Sequence, residues 1–146
     1  MEFRLVNHWE EDSVKKLWSY CFEREDEPFF QWYFTGLYKP ENTLAAIDQG
    51  RLAAYLHLIP HRIFLRGELV PATFIVGVAV SPEYRGQGLA GRLLGAALIE
   101  MRLRGSQVCV LVPSQAGFYY PYGWKICYNH IQYAIPLEQL RTVSLK

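Results

Sequence analysis

Val76-Gly77-Val78-Ala79-Val80-Ser81-Pro82-Glu83-Tyr84-Arg85-Gly86-Gln87-Gly88-Leu89-Ala90-Gly91-Arg92-Leu93-Leu94 is the stretch on which the reading of the chain turns. Its first residues are apolar and β-branched, as in a strand, and Pro82 punctuates a turn. A glycine-spaced loop follows, and a helical pattern begins near Gly88, with Leu89, Leu93, Leu94, Ala97 and Leu98 on the apolar side. Strand, glycine loop and helix start together form a phosphate-binding device. The first turn of a helix has unpaired N–H groups and a positive dipole end, and glycines let a ligand approach that backbone closely.

Spacing separates the families that use such loops. Gly86-Gln87-Gly88-Leu89-Ala90-Gly91 satisfies the dinucleotide pattern G-x-G-x-x-G. That pattern needs a glycine close behind the strand and a carboxylate at the end of the next strand. Here Ser81 to Arg85 intervene, and Val108-Cys109-Val110-Leu111-Val112 is followed by Pro113-Ser114-Gln115 without a carboxylate. A Walker loop fails sooner, because no Gly-Lys-Ser/Thr is present.

Arg85-Gly86-Gln87-Gly88-Leu89-Ala90 resembles instead the Arg/Gln-x-x-Gly-x-Gly/Ala signature of the GCN5-related N-acetyltransferases (GNAT), and Val78 to Arg85 is similar to the strand and turn before it. The resemblance implies acetyl-CoA as co-substrate. Backbone amides of Gly86, Gln87, Gly88, Leu89, Ala90 and Gly91, behind Arg85, would hold its pyrophosphate. The backbone of Val78, Ala79 and Val80 would pair with the pantetheine arm. The plainer alternative is an ordinary strand, turn and helix.

The 146 residues suit one domain with a proper core, and 51% apolar with 20% charged residues is an ordinary soluble composition. A formal charge of +1 makes no case for nucleic acid or an anionic membrane. No apolar run reaches the ~20 residues that span a bilayer, and Met1-Glu2-Phe3-Arg4-Leu5 lacks a signal-peptide core. Cys21, Cys109 and Cys127 have no metal spacing, so a reduced, cytoplasmic protein is expected, with the cysteines as small apolar filler and no metal.

Along the chain, Phe3 and Leu5 read as a first strand, and Glu10-Glu11-Asp12-Ser13 opens a helix with stripe Val14, Leu17, Trp18 and Cys21. A second helix is expected after Pro28, its aromatics Phe29, Phe30, Trp32, Tyr33 and Phe34, with Leu37, in the core or lining an acceptor pocket; Gly36 and Pro40 end it. Leu44–Ile47 and Leu52–Ile59 flank a turn at Asp48-Gln49-Gly50-Arg51, and Arg66-Gly67-Glu68 makes a second turn before the strand that ends at Val80. The long helix from Gly88 closes at Arg102, Arg104 and Gly105. Val108–Val112 reads as a central strand, Ser114 as the N-cap of a short helix to Tyr120, and Tyr128–Ile135 as a final strand. The expected fold is α/β (α+β) of the acetyltransferase type, a mixed, mostly antiparallel sheet with helices on both faces. Residues 1–136 form the acetyltransferase domain, and 137–146 a tail or the start of a linker.

Amine acetylation needs a free amine at the thioester carbonyl, a stabilised oxyanion and a proton for the leaving thiolate. Ser114-Gln115-Ala116-Gly117-Phe118-Tyr119-Tyr120-Pro121-Tyr122-Gly123-Trp124 resembles the Ser-Glu-Ala-x-Ile-Tyr-x-x-Phe-Gly-Tyr stretch of the enhanced intracellular survival (Eis) branch of that superfamily. The resemblance implies Tyr119 as general acid, with Ser114 and Gln115 against the cofactor, although Gln115 departs from the branch's Glu. Simple packing is the alternative for Tyr119, and Tyr120 and Tyr122 are the fallbacks. Thr73–Val80 carries no carboxylate to act as base. His57 and His61 could serve by pKa but read first as a strand and a turn histidine, and Glu83 as a surface carboxylate. In the Eis branch the C-terminal carboxylate of a downstream domain is thought to be the base, so the chain is expected to be a truncated N-terminal piece or a short relative using water.

Two functions remain open. One is an N-acetyltransferase moving acetyl directly to a primary amine: a small cationic amine, an aminoglycoside or a protein lysine. The other is a catalytically silent CoA-binding module. A homo-oligomer is compatible with either.

Overall fold

The computed structural model describes residues 1–129 and 131–140. Contacts group the chain into two units, Met1–Ser114 and Gln115–Lys146.

The first unit is built on β1 (Glu2–Leu5), β2 (Thr43–Asp48), β3 (Arg51–Leu65), β4 (Glu68–Val80) and β5 (Val108–Leu111), in the spatial order β1-β2-β3-β4-β5. The first four strands are antiparallel to their neighbours, and β5 runs parallel to β4. Both hairpin turns put two residues in the left-handed region: Gln49 (φ 47°) and Gly50 (φ 79°), then Arg66 (φ 52°) and Gly67 (φ 88°). That geometry suits the twist of two-residue hairpins, so the turns expected at Gly50 and Gly67 form there. Helices flank the sheet: α1 (Glu11–Cys21), α2 (Pro28–Gly36) and α3 (Leu89–Leu103).

Alternation along β3 assigns its faces. Tyr55 and His57 join the core formed with Val14, Leu17 and Trp18 of α1 and Phe30, Tyr33 and Phe34 of α2. Ala54, Leu56 and Leu58 point to the other face and are wholly buried. There α3 crosses β2, β3 and β4, burying Leu89, Leu93, Leu94, Ala97 and Met101. Met101 takes the place expected for Leu98, which is 44% exposed, because the covered stripe tracks the helix axis rather than every apolar side chain.

Further expectations are corrected. In α2, Phe29 and Trp32 lie on the open face, since a nine-residue helix rests only one face on the sheet, and Leu37, just past its end, is exposed as well. β5 stops at Leu111 and is an edge strand among the described residues, its side chains half-buried. The strand expected at Tyr128–Ile135 does not form: 128–129 and 131–135 are irregular, with Tyr128, Ile131 and Tyr133 exposed. His130 lies outside the described residues. Of the expected tail, Leu137–Leu140 is a short helix (α5), and 141–146 lie outside the described residues.

In the second unit, α4 (Ala116–Tyr119) runs into a 3₁₀ turn at Tyr120–Tyr122, which Gly123 closes at φ 93°. Gln115, not Ser114, is the N-cap, and no side chain caps it.

Candidate functional site

β4 is paired on both sides only over its middle. Its ladder with β5 covers Ala72–Ile75, while the ladder with β3 continues to Val80. Between Tyr55↔Ala79 and His57↔Val76, one β3 residue, Leu56, opposes two of β4, Gly77 and Val78. This bulge puts Gly77 at φ 63°, and a Cβ there would come 2.6 Å from Trp18 Cζ3. Only glycine fits both demands. The bulge falls just past the point where β4 parts from β5 and takes in Val78, the first of Val78, Ala79 and Val80, whose edge away from β3 lies beyond the β5 ladder.

A 3₁₀ turn at Pro82–Tyr84 carries the chain from β4 to the loop, and Gln87 Nε2 donates to Glu83 O at 3.0 Å. Gly86 (φ 73°) and Gly88 (φ 71°) adopt the left-handed region with nothing within 4 Å of a Cβ position. Gly88 is the N-cap of α3, with no side chain capping it and no acidic residue in the first turn. Arg92 N–H donates to Gly88 O at 3.2 Å, so the N–H groups of Leu89, Ala90 and Gly91 precede the first helical hydrogen bond. The turn is short of acceptors and bare of side chains, which is what an anionic diphosphate requires.

Arg85 turns its side chain the other way. Nε donates to Val80 O at 3.0 Å, Nη2 lies 3.4 Å from Cys21 Sγ, and the guanidinium stands 5.4 Å from the Tyr20 ring centre. It therefore ties the loop to the C-terminal end of α1. Beside that end opens a cleft of about 450 Å³, lined by Phe22, Glu23, Arg24, Glu27, Pro28 and Phe29. Arg24 Nε donates to Asp26 at 2.9 Å, so its charge is already matched, whereas Glu23 Oε2 is buried without a partner among the described residues. Sequence reasoning offered Phe29 as part of a pocket wall but missed Phe22, Glu23 and Glu27 beside it; the signal was those carboxylates set between Phe22 and Phe29.

Val78–Val80, Arg85–Gly91 and exposed Ser114 belong to the first unit, and Gln115 and Tyr119 to the second. Tyr119 is half-buried, edge-on to Phe118 at 5.0 Å and to Trp124 at 6.2 Å. Burial raises its phenol pKa above the ordinary value, so it keeps its proton at neutral pH. Of the candidate bases, His57 is 2% exposed within an aromatic cluster, His61 sits on the exposed part of β3, and Glu83 is exposed.

A bulged β4 that leaves its partner and passes into a glycine-capped helix defines the class, a GCN5-related acetyltransferase fold. Residues 2–127 match the family model described as "Acetyltransferase (GNAT) domain", and the chain belongs to that family. It is similar to the uncharacterized N-acetyltransferase YjhQ of Escherichia coli (strain K12), 32% identical over 100 residues, which are 67% of this chain and 54% of that protein. The chain thus spans about half the length of this curated relative. Among solved structures it is similar to a GCN5-related N-acetyltransferase from Anabaena variabilis, with 23% identity, a TM-score of 0.74, and coverage of 82% of this chain and 30% of that one. It is also similar to AAC(6')-Iy in complex with the bisubstrate analog CoA-S-monomethyl-acetylneamine, with 15% identity, a TM-score of 0.73, and coverage of 92% and 97%. At such identities the likeness shows the fold alone. No described helix is long and apolar enough to cross a membrane.

Proposed function

We propose that this domain is an N-acetyltransferase that takes acetyl-CoA as donor and a cationic primary amine as acceptor. The observation that carries the reading is the bare helix mouth: Gly86 and Gly88 with no atom over their Cβ positions, and three N–H groups ahead of the first helical bond. Gly86 to Gly91 would hold the pyrophosphate, and the free edge of Val78–Val80 the pantetheine arm, with Arg85 Nε now on Val80 O. Bound acetyl-CoA would supply the acetyl group as a thioester. Tyr119 Oη holds a proton at neutral pH and is the group we assign to release it to the leaving thiolate, in the manner of the Eis branch that Ser114–Trp124 resembles. Ser114 and Gln115 belong to the donor side on the same resemblance.

The acceptor reading rests on the cleft beside Phe22 and Phe29. Aromatic faces and an unmatched carboxylate attract an ammonium group. An aminoglycoside, a small polyamine and a lysine side chain all offer one.

The absence of a carboxylate on Thr73–Val80 favours a second reading, a CoA-binding module without turnover. Calorimetry with acetyl-CoA and thiol release with an amine panel separate the two. Binding with amine-dependent release supports the transferase, binding without release supports the module, and no binding overturns both.

A further inference from the structure

Behind the Gly77 bulge lies a histidine whose protonation pattern can be deduced. Thr43 Oγ1 is 3.1 Å from Lys39 O and 2.9 Å from His57 Nδ1. Lys39 O, which also accepts from Asn42 N–H at 3.0 Å, is placed to receive the single hydroxyl proton of Thr43, and we take the proton to lie there. Thr43 Oγ1 must then accept from Nδ1–H, which leaves the lone pair of His57 on Nε2. That atom is buried without a protein partner among the described residues.

Its surroundings are unpaired in the opposite sense. The rings of Tyr55, Tyr33, Tyr38 and Trp18 stand 5.0, 5.4, 5.6 and 5.7 Å from the imidazole. Trp18 Nε1 and the hydroxyls of Tyr33 and Tyr55 are donors, each buried without a partner among the described residues. Trp18, Tyr33, Tyr55 and His57 are all at most 3% exposed. Native cores do not leave a bare acceptor and three donors of one cluster unmatched. Water both accepts and donates, and it is the usual occupant of such a site.

We propose that His57 Nε2 and the surrounding Tyr33, Tyr55 and Trp18 donors hold an internal water directly behind the β4 bulge, with the imidazole locked as its Nδ1–H tautomer by Thr43. Burial alone pushes the His57 pKa down to about 3, so the ring stays a neutral acceptor in the physiological range. No charged side chain takes part in these ring contacts, and the neighbouring Tyr33, Tyr38 and Tyr55 phenols are all pushed upward by burial, which keeps them as donors. A Cβ on Gly77 would stand 3.2 Å from His57 Cδ2, so the site backs the segment that enters Val78–Val80. His57 is thus a positioning residue for that strand rather than the missing base. Only this last consequence rests on the acetyltransferase reading; the tautomer and the water are measured without any donor.

The test is nitrogen-15 NMR of the histidine side chains in the full chain, with a high-resolution crystal structure. The expected result is a protonated Nδ1 and an unprotonated Nε2 that persist well below the ordinary histidine range, with a water within hydrogen-bond distance of Nε2. In Thr43→Val the lock is removed, and the His57 signals should move toward the Nε2–H form. An Nε2–H tautomer in the unmodified protein, a dry cluster, or a tautomer indifferent to Thr43→Val would each overturn the proposal. If that variant does not fold, the measurements on the unmodified chain still decide it.

Discussion

The two halves of β4 share a backbone but not a task. Ala72 to Ile75 have β3 on one side and β5 on the other; Val76 to Val80 keep β3 alone among the described strands. The first half is ordinary sheet, with Ala72, Thr73 and Ile75 nearly sealed from solvent. The second half begins with a bulge that needs glycine and ends at a helix mouth that needs glycine again. Glycine has different reasons in the two places: at Gly77 a side chain would strike Trp18, whereas at Gly86 and Gly88 there is open space. Tight packing behind the strand and emptiness at its end are what a rigid seat for a ligand would look like.

The sharpest way to break this contrast is Gly88→Glu. The added Cβ meets no protein atom within 4 Å, while the carboxylate it carries brings to the helix mouth a charge of the same sign as the diphosphate proposed there. Acetyl-CoA binding is expected to fall by about a hundredfold or more, roughly 3 kcal/mol, read by calorimetry. The folded state should lose only about 1–2 kcal/mol, from a side chain at φ 71°. Unchanged affinity would remove the helix mouth from the donor site.

Gly77→Ala tests the other side. Its Cβ has no room 2.6 Å from a ring that is itself stacked on Tyr33 at 4.8 Å, and φ 63° adds backbone strain. Unfolding in urea should show a loss of about 2–4 kcal/mol, overpacking and strain together. A smaller loss than for Gly88→Glu would mean that the bulge is soft.

Which of these features was readable beforehand follows from the physics of each. Gly86, Gly88 and the hairpin turns were legible because a left-handed backbone narrows the choice of residue to a few types. The faces of α2 were harder to read, because five of its nine residues are aromatic and Phe29 and Trp32 look no different from Phe30 and Tyr33; the exposed polar pair Gln31 and Thr35 was the signal for the open side. The strand expected at Tyr128–Ile135 failed because alternation states a preference that only a neighbouring strand can satisfy. The Thr43–His57 pair was hidden by register. A regular hairpin closed at Asp48↔Arg51 would set Thr43 opposite Leu56, and the irregularity between Ala46 and Ile47 moves it to His57. No local pattern announces that shift.

Tyr119→Phe probes chemistry that the fold leaves untouched. The ring contacts with Phe118 and Trp124 survive the loss of one oxygen. Turnover with a responsive amine should fall about a hundredfold or more, with donor affinity unchanged, which is the mark of an interaction made only during the reaction. Equal turnover would leave Tyr119 as packing and move attention to Tyr120 and Tyr122.

The smallest effect is expected far from β4, where β1 meets the approach to α1. Glu10 receives two hydrogen bonds from Arg4, at 2.7 and 2.8 Å, and one from Asn7 N–H at 2.8 Å. The Arg4 bonds hold its carboxyl pKa below the ordinary 4.5, and burial opposes only part of that. A carboxyl that titrates lower when folded stabilises the fold fully above its unfolded value, and that contribution drains away as pH falls through the lowered folded value. At neutral pH Glu10→Gln should cost about 1–2 kcal/mol, discounted for partial exposure. The difference from the unmodified protein should shrink as the pH drops below 4.5, because the natural carboxyl is then protonated too. A difference that holds constant into acid would show that the geometry around Asn7, not the charge of Glu10, is what fastens β1 to the helix.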